Sequence, residues 1–150
     1  MKKIRAVEEW CLGCKLCEVY CKTAHSKSKD IVKCHKKEDT TPVARLVVED
    51  GGEYNFALNC RHCDDAKCVK SCITGAMYRD PDTGYVVNNP EKCIGCWTCV
   101  LACPKGAIMR DTSYKKVVAK CDMCVEIGTP ACVEHCPNRA LILVDEGEEK

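Results

Sequence analysis

Sixteen of the seventeen cysteines fall into four quartets: Cys11, Cys14, Cys17 and Cys21; Cys60, Cys63, Cys68 and Cys72; Cys93, Cys96, Cys99 and Cys103; and Cys121, Cys124, Cys132 and Cys136. The first and third repeat the run Cys-x2-Cys-x2-Cys-x3-Cys, which wraps a cubane [4Fe–4S] cluster. Pro104 closes the third run and Pro137 follows the fourth. Thiolate is soft and anionic, so it suits iron in a sulfide cage better than imidazole or carboxylate does. Cysteines three residues apart also let backbone N–H groups point at the sulfurs, and those hydrogen bonds help to set the reduction potential. Four quartets therefore predict four [4Fe–4S] clusters. A chain that carries them and little else is most simply a path for electrons.

The quartets differ in specificity. The first has Lys22 where the closing proline belongs, and the second has Ile73 there and a wider middle gap. The fourth is interrupted from Val125 to Ala131. Taken singly, the second and fourth also suit zinc held by four cysteines, whose spacings overlap. Cysteine at this density means either metal or a disulfide scaffold. No secretory leader is legible in Met1-Lys2-Lys3-Ile4-Arg5, and no apolar run approaches a membrane span. The expectation is a soluble, cytoplasmic chain without a membrane anchor, where metal is the commoner use of close cysteines.

The 150 residues include one Phe and two Trp, so ordinary core material is thin and the cysteines must supply interior. The formal charge of +1 counts every thiol as neutral. Sixteen thiolates and four oxidised cluster cores bring the loaded protein to roughly −7. Bulk charge of that sign excludes a nucleic-acid role, which needs a basic surface. No Ser-His-Asp set, paired carboxylates or Gly-rich phosphate loop stands out, so the chain is not expected to turn over a substrate of its own.

The elements that must position the quartets are short. The last two cysteines of each quartet lie four apart, or one helical turn. A strand-like segment then follows: Val43 to Val48 after a long delay, Gly75 to Tyr78 with Tyr85 to Val87, Gly106 to Met109, and Ala140 to Val144. Asp80 to Gly84 reads as a turn, and Asp50-Gly51-Gly52-Glu53 as a hairpin turn between Leu46–Val48 and Tyr54–Leu58. The unit of loop, cluster, short helix and short strand repeats four times. Asp145 to Lys150 reads as a polar, frayed tail.

The segments Cys60-Arg61-His62-Cys63-Asp64-Asp65-Ala66-Lys67-Cys68-Val69-Lys70-Ser71-Cys72 and Cys93-Ile94-Gly95-Cys96-Trp97-Thr98-Cys99-Val100-Leu101-Ala102-Cys103-Pro104 resemble the four-cluster, ferredoxin-like electron-transfer subunits of complex oxidoreductases. That superfamily includes the small subunits of dimethyl sulfoxide reductase and formate dehydrogenase. Cys11-Leu12-Gly13-Cys14-Lys15-Leu16-Cys17-Glu18, with His25-Ser26-Lys27-Ser28, is most similar to the iron–sulfur proteins associated with carbon monoxide dehydrogenase. The resemblance implies an α+β fold of two pseudo-symmetric 2[4Fe–4S] ferredoxin-like lobes within one unit, residues 1–150. One lobe is about 1–58 plus 110–150, and the other about 59–109. It also implies crossed ligation: cluster one on Cys11, Cys14, Cys17 and Cys136; cluster two on Cys60, Cys63, Cys68 and Cys103; cluster three on Cys93, Cys96, Cys99 and Cys72; cluster four on Cys121, Cys124, Cys132 and Cys21. The implied partner is a larger redox subunit: carbon monoxide dehydrogenase, a hydrogenase, a molybdenum or tungsten enzyme, or an NAD(P)H flavoprotein. A freely diffusing polyferredoxin and a zinc-stabilised binding module are the alternatives.

Several residues fit two readings. Lys22, Lys27, Lys29, Lys33, Lys36 and Lys37, with His25 and His35, form a basic stretch that is either a solvated loop or a docking surface. Cys34, the odd cysteine within it, is a free or half-buried thiol, or else a redox-sensitive group or interface ligand. His62 and His135 lie inside quartets, where they tune a cluster by donating to sulfur or simply pack. Trp10 and Trp97 shield clusters from water, pack in the core or meet a partner.

The ligand count predicts about sixteen iron and about sixteen sulfide per chain after anaerobic purification. A content near half of that would leave two quartets without clusters.

Overall fold

A computed structural model describes residues 1–111 and 117–145. Short elements alternate along them: β1 (Lys2–Ala6), α1 (Leu16–Ala24), α2 (Ile31–Lys36), β2 (Leu46–Asp50), β3 (Asn55–Asn59), α3 (Lys67–Lys70), β4 (Met77–Arg79), β5 (Val86–Asn88), α4 (Thr98–Ala102), β6 (Ile108–Arg110), β7 (Val118–Lys120), α5 (Ala131–Glu134) and β8 (Leu141–Asp145). A single 3-10 turn, Glu8–Trp10, leads into the first quartet. The described strands form four two-stranded antiparallel ribbons, β1–β8, β2–β3, β4–β5 and β6–β7. A lone ribbon is marginally stable in water, so each must be covered by something else.

The cover comes from the cysteine-bearing helices. Helix α1 packs on α5, and α3 on α4. Two cores result. The first gathers Ile4, Leu46, Val48, Ala57, Met123 and Leu141 around Cys17, Cys21 and Cys132, with Cys11, Cys121 and Cys136 at its edge. The second gathers Met77, Val86, Ile108 and Val118 around Cys99, with Cys68, Cys72, Cys93 and Cys103 at its edge. Ile4 is 2% exposed, and its carbonyl accepts the Asn59 side-chain N–H at 3.1 Å. This buried bond ties the first strand to β3.

The expected strands and turns are present, with shifted boundaries. The first starts at Leu46 and not at Val43, because Ala44 turns inward and the Arg45 N–H is donated to the Cys21 sulfur at 3.3 Å. Backbone committed to a thiol cannot also join a ladder. The turn between β2 and β3 carries Gly52 at φ +83°, a conformation that favours glycine. Gly84, at φ +75°, closes the turn before β5, where the Asp80 carboxylate accepts from the Thr83 N–H.

Three elements were not expected. Strand β1 pairs with β8 across the whole chain. Strand β7 completes a ribbon with β6. Helix α2 lies within the basic stretch, capped by the Asp30 carboxylate accepting from the Lys33 N–H at 2.8 Å. It buries Cys34 completely, at 0% exposure, while Lys33, Lys36 and Lys37 stay exposed. The tail beyond Asp145 lies outside the described residues.

Candidate metal centres

The quartets are built on a repeated backbone. In the first, Gly13 and Lys15 adopt φ +67° and +60°; in the third, Gly95 and Trp97 adopt +70° and +55°. Lys15 and Trp97 occupy the same step, just before α1 and α4, where each serves as a left-handed N-cap. Such φ values cost an L-residue about 1–2 kcal/mol. A wrapped loop that turns each thiol to one point supplies the compensation. A second repeat follows the closing cysteines. Gly75, Gly106 and Arg139 lie three residues after Cys72, Cys103 and Cys136, at φ +66°, +62° and +53°. Each N–H is donated back to the cysteine carbonyl, at 3.4, 3.2 and 3.2 Å. The chain then rises into β4, β6 and β8.

None of the seventeen cysteines, all among the described residues, forms a disulfide. Three cavities are each lined by four quartet cysteines. The first holds Cys11, Cys14, Cys17 and Cys136, with Trp10 in its wall. The second holds Cys21, Cys121, Cys124 and Cys132. The third holds Cys60, Cys63, Cys68 and Cys103. The remaining thiols also meet: Cys99 lies within electrostatic reach of Cys93, Cys72 and Cys96. Neighbouring sets lie within electrostatic reach of one another, through Cys132 and Cys17, Cys121 and Cys60, and Cys99 and Cys68.

Burial pushes the Cys17 thiol up to about 12, Cys121 to about 12 and Cys99 to about 11. Adjacent thiols add to the rise, because like charges at one point disfavour ionisation. Hydrogen bonds work the other way. N–H groups of Met77, Met123, Ala140 and His62 are donated to the sulfurs of Cys72, Cys121, Cys136 and Cys60, at 3.3, 3.4, 3.2 and 3.5 Å. Anionic sulfur that already receives donors, yet is costly to bury, is chemistry that a cationic iron–sulfide core completes.

Two orphaned donors make the same point. His62 is 1% exposed and lines the third cavity. The Val86 N–H is donated to its Nδ1 at 3.1 Å, which places the ring proton on Nε2. That Nε2 is buried without a partner among the described residues, as is Trp97 Nε1 within the third quartet. Burial, with Lys120 nearby, lowers the His62 pKa to about 3, so the ring is neutral. The His62 donor fits a sulfur acceptor in the thiol cavity that it lines.

His135 packs instead, stacked on Tyr20 at 3.7 Å. Arg110 lies over the Trp97 ring, 4.8 Å from its centroid. Trp10 is half-exposed beside the cavity whose wall it joins.

Around Cys21 and Cys124 sits a network that the spacing did not reveal. His25 Nδ1 is donated to the Cys21 carbonyl at 2.7 Å, and Nε2 pairs with Asp122 at 3.2 Å. Arg45 pairs with the same carboxylate. Burial alone would lower the His25 pKa, but the hydrogen bonds to Asp122 and Cys21 raise it to about 9. Burial opposes the charge on Asp122 too, yet His25 and Arg45 hold it well below the usual carboxylate range. The available signal was His25 lying four residues after Cys21 on the helical face of α1. Nothing in the sequence pointed to Asp122, 97 residues away.

Replacing His62 with Phe keeps the ring and removes the acceptor for the buried Val86 N–H. The expected cost is about 1–3 kcal/mol, read as a lower urea midpoint of the loaded protein. An unchanged midpoint would contradict the assigned bond.

With this geometry, the chain can be set against known proteins. The family described as "4Fe-4S dicluster domain" matches residues 53–146, a span that includes the second and fourth quartets, where spacing alone left zinc open. The electron transport protein HydN of Escherichia coli is 38% identical over 154 residues, covering 92% of this chain and 85% of HydN. AegA of the same organism is 39% identical over 151 residues, covering 95% of this chain; the chain spans only 22% of AegA. Among solved structures, the BamBC active-site complex of benzoyl coenzyme A reductase, as isolated, has a chain that matches with a TM-score of 0.52. That match has 20% identity and covers 99% of this chain and 82% of the other, a likeness of fold. The chain belongs to the 4Fe-4S dicluster domain family and is an iron–sulfur electron-transfer protein.

Proposed function

We propose that the chain carries single electrons through four [4Fe–4S] clusters, as the electron-carrying subunit of a larger oxidoreductase complex in the cytoplasm. The observation that carries this reading is that twelve thiols line three cavities in sets of four, while Cys99 lies within electrostatic reach of Cys93, Cys72 and Cys96. The proposed ligand sets are Cys11, Cys14, Cys17 and Cys136 for cluster one; Cys60, Cys63, Cys68 and Cys103 for cluster two; Cys93, Cys96, Cys99 and Cys72 for cluster three; and Cys121, Cys124, Cys132 and Cys21 for cluster four. The cavity linings support the first, second and fourth, and the meeting of Cys99 with Cys93, Cys72 and Cys96 supports the third. The two cores support lobes of about 1–58 plus 110–150 and about 59–109, with Val118 reaching into the second core.

When bound, each cluster accepts and releases one electron. The chain's own residues hold it, donate N–H groups to its thiolates and keep water away. The pairs of sets that lie within electrostatic reach favour the spatial order one, four, two, three. The two end sets each reach the surface, through the exposed Cys14 and Cys96. Exposed aliphatics stand beside both: Leu12 and Leu16 at one end, Ile94 and Leu101 at the other, Leu101 at 89%. These ends are where we place donor and acceptor. Partners that fit are carbon monoxide dehydrogenase, a hydrogenase, a molybdenum or tungsten enzyme, or an NAD(P)H flavoprotein.

Single substitutions test the crossed sets. Cys136→Ala is expected to damage the centre of Cys11, Cys14 and Cys17 and to spare that of Cys121, Cys124 and Cys132. Electron paramagnetic resonance on the reduced protein reads which signal is lost. Loss confined to the centre of Cys121, Cys124 and Cys132 would contradict the crossed arrangement.

A further inference from the structure

Lys120 ends strand β7 and is only 4% exposed. An ammonium removed from water demands a compensating charge as well as hydrogen bonds. Among the described residues, no ion pair includes Lys120. Asp122, the carboxylate two residues on, is engaged by Arg45 and His25. Lys120 Nζ is donated to two carbonyl oxygens, that of Val86 and, at 3.1 Å, that of Cys121. Carbonyls satisfy donors but carry no counter-charge.

The positions of those two carbonyls are informative. Val86 lines the cavity of Cys60, Cys63, Cys68 and Cys103. Cys121 lines the cavity of Cys21, Cys124 and Cys132. The Val86 N–H is in turn donated to His62, inside the second quartet. The ammonium thus stands at the seam between two thiol sets that belong to different cores. It lies within electrostatic reach of a thiol in each, Cys68 and Cys121. These thiolates are anions within its reach, and it also borders a cavity with the carboxylates of Glu38, Asp111 and Asp122.

We infer that Lys120 is the buried counter-cation shared by the second and fourth clusters, and that it raises the reduction potentials of both. The inference rests on the four-cluster reading above. An electron delivered by an external reductant adds one negative charge to a site, and no bond forms or breaks. A fixed positive charge beside the site favours the more negative form, and net charge is one of the levers that set such potentials. The same charge holds together the contact across which the two cores exchange electrons. Lys120 acts as a positioning residue, since it meets the sets through its field and through two carbonyls.

The test is an anaerobic potentiometric titration of the loaded protein, followed by electron paramagnetic resonance, with Lys120→Met, Lys120→Gln and Lys120→Arg. Iron and sulfide are assayed on every sample. For Lys120→Met and Lys120→Gln at unchanged iron content, two of the four reduction steps are expected to move to more negative potential while the other two stay. Lys120→Arg restores them. Where Lys120→Met fails to load iron, the Gln and Arg variants carry the comparison. Four unmoved steps in a fully loaded Lys120→Gln protein would overturn the inference, as would an equal shift in Lys120→Arg. Fewer than four reduction steps in the unsubstituted protein would count against the four-cluster reading itself and not against the role of Lys120.

Discussion

Everything in this molecule depends on burying thiol groups in sets of four. Apolar surroundings and like neighbours both disfavour thiolate, which is why burial pushes Cys17 to about 12 and Cys99 to about 11. Iron reverses the preference, because a coordinating thiol is deprotonated by the metal's charge. Buried cysteines also belong to both cores. In a chain with one Phe and two Trp, few other side chains could fill those cores. Metal binding and packing are therefore one problem with one solution.

The backbone is arranged around the same constraint. Lys15 and Trp97 hold equivalent left-handed positions although their side chains share nothing. Arg139 holds a position that Gly75 and Gly106 occupy elsewhere. What repeats is the path that brings sulfurs to a point and aims N–H groups at them. Where the chain departs from the repeat, it finds another donor. The long stretch after Cys21 returns at Arg45, whose N–H takes the place that Met77 and Ala140 fill at Cys72 and Cys136. The excursion makes its own small unit on the way, with Cys34 buried beneath α2.

Cysteine spacing made the four quartets, the short helices and most of the strands legible, because such spacing acts over a few residues. Long-range pairing was not legible. Strand β1 carries no clear strand signal of its own, and its partner β8 lies far along the chain. Helix α2 was hidden by its run of lysines, although Asp30 is a fair capping signal. Lys120 looked like one basic residue among many, and only its burial sets it apart. Asp122 is legible as a partner only once folding brings His25 and Arg45 to it.

The central claim is that thiol sets and iron hold the fold together. The most direct test is far-UV circular dichroism of the protein before and after anaerobic removal of iron by a chelator, with the thiols kept reduced. Binding that exists only in the folded state is folding free energy. The iron-free chain should lose its secondary structure cooperatively and regain it when iron and sulfide are restored. An iron-free chain that kept the native spectrum and a sharp thermal transition would contradict the account.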